Sequence, residues 1–314
     1  MAIENVAVIG AGTMGHALAL VHALGGCVVR LQDVSEEVLG KAPGLISAAG
    51  SSLIEAGEIT QQEATAAIAR IRFTGSLVEA ICNADLIVEA VVEKEDIKRQ
   101  LFAEIDAAAP KGAIIASNTS YLDIFPLVPT ARQSHTLIAH WYTPPYIIDL
   151  VDIAPGPETL PEVVSVVHDL YTDFGKAPLL FEHLIPGYIA NRLQAALNLE
   201  CLRMIDEGWV TAPDIDHSVR HGLASRLAVL GHMKKMDYTD LRMTQNGLAS
   251  RMYLPPENKG GSEILSQLIG EGRTGVRAGA GFYDYGDASA EELFKSRDTK
   301  LIKLKQAMKI IEKE

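Results

Sequence analysis

Residues 6–15, Val6-Ala7-Val8-Ile9-Gly10-Ala11-Gly12-Thr13-Met14-Gly15, decide the fold. The apolar run Val6–Ile9 is too short for a helix and suits a strand buried on both faces. A G-x-G-x-x-G starts where it ends, and apolar residues at helical spacing follow: Ala17, Leu20, Val21 and Leu24. Alone the glycines are a weak signal, because the chain has 26 of them. Between a strand and a helix each has a separate duty. Gly10 permits a tight turn, Gly12 lets backbone approach a pyrophosphate, and Gly15 lets the helix pack closely on the strand. Thr13 and Met14 lie inside the same phosphate-binding loop, where a helix N-terminus offers oriented N–H groups.

A second short strand, Val28–Gln32, runs into Asp33. That carboxylate suits a ribose 2′-hydroxyl and would repel a 2′-phosphate; Arg30 and Gln32 make no obvious phosphate pocket. The motif therefore names NAD rather than NADP. Working outward, Ser35-Glu36-Glu37 opens a helical region to about Ala69, broken near Gly57. Strands are expected at Leu86–Val91, Ala113–Ala116, Thr136–Ala139, Ile147–Ile153 and Pro178–Phe181. Helices are expected at about Glu95–Ala109 and Pro161–Phe174. Strand and helix in turn imply an α/β domain with a mainly parallel, Rossmann-type sheet.

The character changes at Ile185-Pro186-Gly187. Beyond it the chain reads as all-helical: Asn191–Glu207, Ala212–His221, Ala228–Tyr238, Ser262–Gly270 and Asp298–Glu312. The expected division is residues 1–184 for the nucleotide-binding domain and 185–314 for a helical substrate and dimerisation domain. The lysines from Lys295 to Lys313 read as the solvated face of a terminal helix.

Composition narrows the function. Lys and Arg number 28 against 40 Asp and Glu, a net charge of −12, so phosphate backbones and anionic lipid are repelled. No uninterrupted apolar stretch is long enough to span a bilayer. The opening MAIENVAVIG has no basic leader and carries Glu4, so it reads as folded protein. Three scattered cysteines (Cys27, Cys82, Cys201) make neither a disulfide framework nor a metal set. A cytoplasmic protein with a small-molecule substrate and no metal is expected.

Alcohol oxidation on a nicotinamide needs a base for the hydroxyl proton, and histidine titrates near neutrality. Of nine histidines, only His140 ends a sheet strand and leads into a Pro144-Pro145 turn. Asp152 lies in the next extended run, where two antiparallel neighbours would bring its carboxylate to the imidazole. On residues alone a strand-end histidine is more often structural than catalytic.

The surrounding text favours chemistry. Val8-Ile9-Gly10-Ala11-Gly12-Thr13-Met14-Gly15, Ile87-Val88-Glu89-Ala90-Val91-Val92-Glu93 and Ala116-Ser117-Asn118-Thr119-Ser120 occur in order. The His140 segment follows, then Pro186-Gly187-Tyr188-Ile189-Ala190-Asn191-Arg192 and Gly279-Ala280-Gly281-Phe282-Tyr283-Asp284-Tyr285. Together they resemble the 3-hydroxyacyl-CoA dehydrogenase family over nearly the whole chain. The resemblance implies His140 as catalytic base, with Ser120 and Asn191 holding the substrate oxygen. It places Glu93, Lys98, Ser120, Thr143 and Arg277 at the cofactor, and it implies a homodimer.

The departures gather around the substrate. Asp152 stands where the family has glutamate, Thr143 where it has asparagine, and Gly231-His232 where it has Gly-Pro. The helical stretch Ala42–Ala69 has Glu55, Glu58 and Glu63 but no lysine to meet a CoA phosphate. Gly222-Leu223-Ala224-Ser225-Arg226-Leu227-Ala228 is similar to the gulonate, carnitine and lambda-crystallin branch, where Arg226 could clamp a free carboxylate. The stretch His140–Ile148 is also similar to the pyridine-carboxylate dehydrogenase of vitamin B6 degradation. The expected activity is NAD-dependent interconversion of a secondary alcohol and a ketone on a small 3-hydroxy acid. The alternatives are a short-chain 3-hydroxyacyl-CoA dehydrogenase and a non-catalytic crystallin-like protein; the retained Ser120, His140 and Asn191 argue against the second.

Overall fold

A computed structural model describes residues 2–312. Eight strands form one sheet: β1 (Asn5–Ile9), β2 (Val28–Gln32), β3 (Ile71–Thr74), β4 (Leu86–Glu89), β5 (Ile114–Ser117), β6 (Thr136–Trp141), β7 (Leu150–Pro155) and β8 (Ala177–Leu180). Their order is β3-β2-β1-β4-β5-β6-β7-β8. Every pairing is parallel except β6 with β7, which opposes His140 to Asp152. The sheet is mainly parallel, as expected.

Alternation along each strand divides the core into two layers. Val6 and Val8 join Leu18 and Leu20 of α1 (Gly15–Leu24), Ile46 of α2 (Glu36–Glu55), Ala67 of α3 (Gln61–Ala69) and Val167 of the helix Pro161–Asp173. Ala7 and Ile9 face the other way, with Ile81 of α4 (Leu77–Ile81) and Phe102 and Ile105 of α5 (Glu95–Ala108). The short α6 (Thr130–Gln133) precedes β6, and Pro161–Asp173 is α7. At the far edge, β8 carries Pro178, with Leu180 half exposed.

The chain parts into compact units after Ile189, where the sequence reading put the junction after Leu184. Tyr188 accounts for the difference. It opens α8 (Tyr188–Asp206) yet is wholly buried in the first unit's core, its hydroxyl donating to the Thr119 carbonyl at 2.7 Å.

The second unit is helical, as the sequence implies. After α8 come α9 (Ala212–Ser218), a π segment (Val219–Ala224), α10 (Ser225–Leu230), α11 (His232–Asp237), α12 (Leu241–Ser250), α13 (Glu263–Gly270) and α14 (Ala290–Ile311). The expected helix Ala228–Tyr238 is broken at Gly231, whose φ of +69° no helix accommodates. The unexpected α12 is capped by the Asp240 carboxylate, which accepts from Arg242 N at 2.9 Å. Lys313, the last of the expected lysine face, lies outside the described residues.

Candidate active site

β1, β4, β5 and β6 lie side by side and run the same way, so the loops leaving their C-terminal ends share one sheet edge. The glycine loop follows β1. Gly10 has φ +96°, and a Cβ there would sit 2.7 Å from the Ala90 carbonyl oxygen. A Cβ on Gly15 would lie 1.6 Å from the Gly10 carbonyl oxygen, so only glycine lets α1 start this close to β1. Gly12 is different: a Cβ there meets no atom within 4 Å, so that space is open to a ligand. Met14, before the first residue of α1, supplies no side-chain cap to the helix N–H groups. The loop thus has the construction that a dinucleotide pyrophosphate requires.

Asp33 stands just past β2. Its Oδ2 accepts from Ala11 N at 2.7 Å and its Oδ1 from Ser35 N at 2.9 Å, so the carboxylate also braces the glycine loop. The buried Glu89, at the end of β4, receives Lys98 Nζ at 2.7 Å on both oxygens, with Ser117 Oγ and Val91 N also donating to it. Lys98 also lies 3.2 Å from Glu93. The resemblance places Lys98 at the cofactor, and the structure shows its ammonium paired inside the protein. The ammonium is 1% exposed and directed at two carboxylates, because a buried charge must be paired where it sits.

Glu93 in turn shapes the loop after β5. One oxygen, Oε1, accepts from Thr119 Oγ1 at 2.6 Å, Ser120 N at 2.9 Å and Tyr121 N at 3.1 Å. Burial pushes this carboxyl up, but the Thr119 and Tyr121 hydrogen bonds, the Lys98 charge and Ser120 N together hold it below its ordinary value. Ser120 is fixed by this clasp. Its Oγ lies 3.1 Å from His140 Nε2.

On the other side of the imidazole, Nδ1 lies 3.7 Å from Asp152 Oδ2, close enough for charge but too far for a hydrogen bond. The shorter acid leaves that distance. Tyr142 fills in: its hydroxyl donates to Asp152 Oδ2 at 2.5 Å. Tyr188 stacks on the imidazole, ring centroids 4.6 Å apart and planes 25° from parallel. Its phenol is pushed well up by burial and by Asp152, Glu93 and Tyr142, so it stays neutral.

Sequence reasoning missed both tyrosines. Tyr142 was open to inference, since it follows His140 by the two-residue spacing of a strand repeat. Tyr188 gave no local signal, because its φ of +49° and its stacking arise only in the folded core. Thr143 is exposed and precedes a cis Pro144.

The remaining expected residues lie in the second unit. Asn191 is half-buried in the first turn of α8. Arg226 is exposed on α10 and donates its Nε to the Gly222 carbonyl at 2.8 Å, within the π segment. Arg277 lies 5.1 Å over the Phe294 ring. Among the described residues no cluster of three metal-ligating side chains occurs, and no helix is long and apolar enough to cross a membrane.

Residues 5–184 match the family profile described as 3-hydroxyacyl-CoA dehydrogenase, NAD binding domain, and residues 187–285 match its C-terminal domain. A 5-formyl-3-hydroxy-2-methylpyridine 4-carboxylate 5-dehydrogenase of Mesorhizobium japonicum is 28% identical over 308 residues, covering 98% of either chain. An L-carnitine dehydrogenase of Streptomyces griseus is 35% identical over 234 residues, 74% of this chain and 68% of that one. A crystal structure of a 5-formyl-3-hydroxy-2-methylpyridine 4-carboxylic acid 5-dehydrogenase, described as an NAD+-dependent dismutase, superposes with a TM-score of 0.86 at 26% identity. It covers 98% of this chain and 99% of that one. With both halves matched in order, the chain belongs to the 3-hydroxyacyl-CoA dehydrogenase family and is an NAD-dependent oxidoreductase acting on CH–OH groups.

Proposed function

We propose that this dehydrogenase interconverts a secondary alcohol and a ketone on a small, carboxylate-bearing 3-hydroxy acid. The observation that carries the reading is the 3.1 Å approach of Ser120 Oγ to His140 Nε2, on the sheet edge that also holds the glycine cradle. Bound NAD supplies the two-electron acceptor. In the oxidation His140 Nε2 takes the substrate hydroxyl proton, and Asp152 steadies the resulting imidazolium by its charge. Ser120 donates to the reacting oxygen, and its backbone is held by Glu93. Asn191 is assigned to the same oxygen and Arg226 to the carboxylate. Gly10, Gly12, Thr13, Met14, Gly15 and Asp33 hold the dinucleotide, with Glu93, Lys98, Ser120, Thr143 and Arg277 assigned to it by position in the family.

Residues 1–184 serve the cofactor in this reading, and residues 185–314 serve substrate and dimerisation. The free carboxylate is supported by the absence of lysine after Lys41 through Ala69, and by the carnitine and pyridine-carboxylate relatives. A homodimer is supported by exposed surface. Leu193 and Leu197 of α8 are exposed apolar side chains of the kind a partner chain would cover. Cytoplasmic residence is supported by the free thiols of Cys27, Cys82 and Cys201.

A turnover screen following NADH absorbance tests the substrate, setting free 3-hydroxy and 3-oxo acids against acetoacetyl-CoA. Turnover on free acids alone is expected, and preference for the thioester would replace this reading with the acyl-CoA one. His140→Ala should cost on the order of 10²–10⁴ in turnover while NAD affinity holds. Full activity in that variant would remove His140 as the base.

A further inference from the structure

The carboxylate beside His140 is anchored by a residue that the reading above does not use. Tyr142 donates to Asp152 Oδ2 at 2.5 Å, the same oxygen that faces His140 Nδ1 across 3.7 Å. The three side chains meet through the sheet itself. The antiparallel register sets Asp152 opposite His140, and Tyr142 follows just past the end of β6. The Tyr142 ring stands edge-on to the imidazole at 4.6 Å. Asp152 is fully buried, and among the described residues its Oδ1 and His140 Nδ1 have no hydrogen-bond partner. A buried carboxylate keeps its charge only when something bonds to it or pairs with it.

We propose that Tyr142 is a positioning residue for proton transfer. Its hydroxyl, in place of the His140 Nδ1–H, holds the Asp152 carboxylate as an anion, and that anion acts on the imidazole through charge alone. The proposal rests on His140 being the base. Removing the hydroxyl leaves the anion under-satisfied, so the His140–Asp152 pair takes up a proton more readily, wherever in the pair that proton resides. The other groups around the imidazole stay as they are. Ser120 is uncharged, Glu93 is clasped by the Ser120 loop and by Lys98, and the Tyr188 phenol is neutral.

Tyr142→Phe should move the acidic limb of kcat/KM for alcohol oxidation upward by about one pH unit. The ¹⁵N titration of the His140 ring in cofactor-free protein should move with it. Replacing Tyr142 by 3-fluorotyrosine, nearly isosteric and a stronger donor, should move limb and titration downward and carries little folding risk. If neither replacement displaces the limb or the titration, Tyr142 is packing and the proposal is overturned, whatever happens to turnover. Failure of the underlying reading shows separately, as turnover retained by His140→Ala, and would overturn both.

Discussion

His22 takes no part in the chemistry, yet it sets how the protein meets acid. It is wholly buried on α1, its Nδ1 bonded to the Leu18 carbonyl at 2.8 Å, among the rings of Trp141, Tyr171 and Phe174. Burial lowers the imidazole to about 4, against the pull of the Leu18 bond. An unfolded chain therefore binds that proton first, near pH 6.5. The stability is complete above that value and is lost as pH falls toward 4, about 3 kcal/mol in all. Urea midpoints across this window should fall steeply for the wild type and stay flatter for His22→Phe; equal slopes would contradict the assignment. Glu93 acts lower down, because its depressed carboxyl loses its contribution only below the usual carboxylate range. Asp33→Ala should relax the preference for NAD over NADP in kcat/KM. An unchanged ratio would leave that carboxylate only its bonds to Ala11 and Ser35. At this scale Asp33, Ser120 and His140 were legible because motif and strand ends mark them. The ion pairs of Lys98 were not legible, since nothing local announces that Glu89 and Glu93 converge on its ammonium.

Between β1 and α1 two glycines that look alike in sequence have opposite sensitivities. Gly15→Ala forces a Cβ to 1.6 Å from the Gly10 carbonyl oxygen, so helix and strand must separate. Its thermal midpoint should drop along with NAD affinity. Gly12→Ala meets no protein atom within 4 Å, so its thermal midpoint should match the wild type while NAD affinity falls. Retained affinity in that variant would place the pyrophosphate elsewhere. The central strands were readable as bare apolar runs, because a strand covered on both faces needs nothing else. β3 was not, since Arg72 and the partly exposed Phe73 at an edge break the apolar signature. The helices of the second unit were harder still. Gly231 stops a helix by its left-handed φ, and α12 depends on a single aspartate cap, neither of which changes the apolar periodicity.

For the whole molecule the imbalance lies in what is covered. Beyond Ala190 the buried side chains among the described residues are Ser262, Leu268, Asp298 and Ile302, while Leu193 and Leu197 share an exposed stripe of α8. So sparse a core fits the proposed homodimer, in which a partner chain covers that stripe. Sedimentation equilibrium at micromolar concentration should give the mass of two chains, and Leu193→Asp should shift it toward one with a lower thermal midpoint. A wild-type monomer of unaltered stability would refute the dimer. The sheet, by contrast, ends safely. Ala177 and Phe181 turn their N–H groups to β7, so position 178 turns outward, and there proline offers no hydrogen to a newcomer. The rim thus lacks one of its outward donors, which weakens its pairing with a further chain, with Leu180 half exposed beside it. Pro178→Thr would restore a donor to the rim, and light scattering on mild heating should then rise well before unfolding begins.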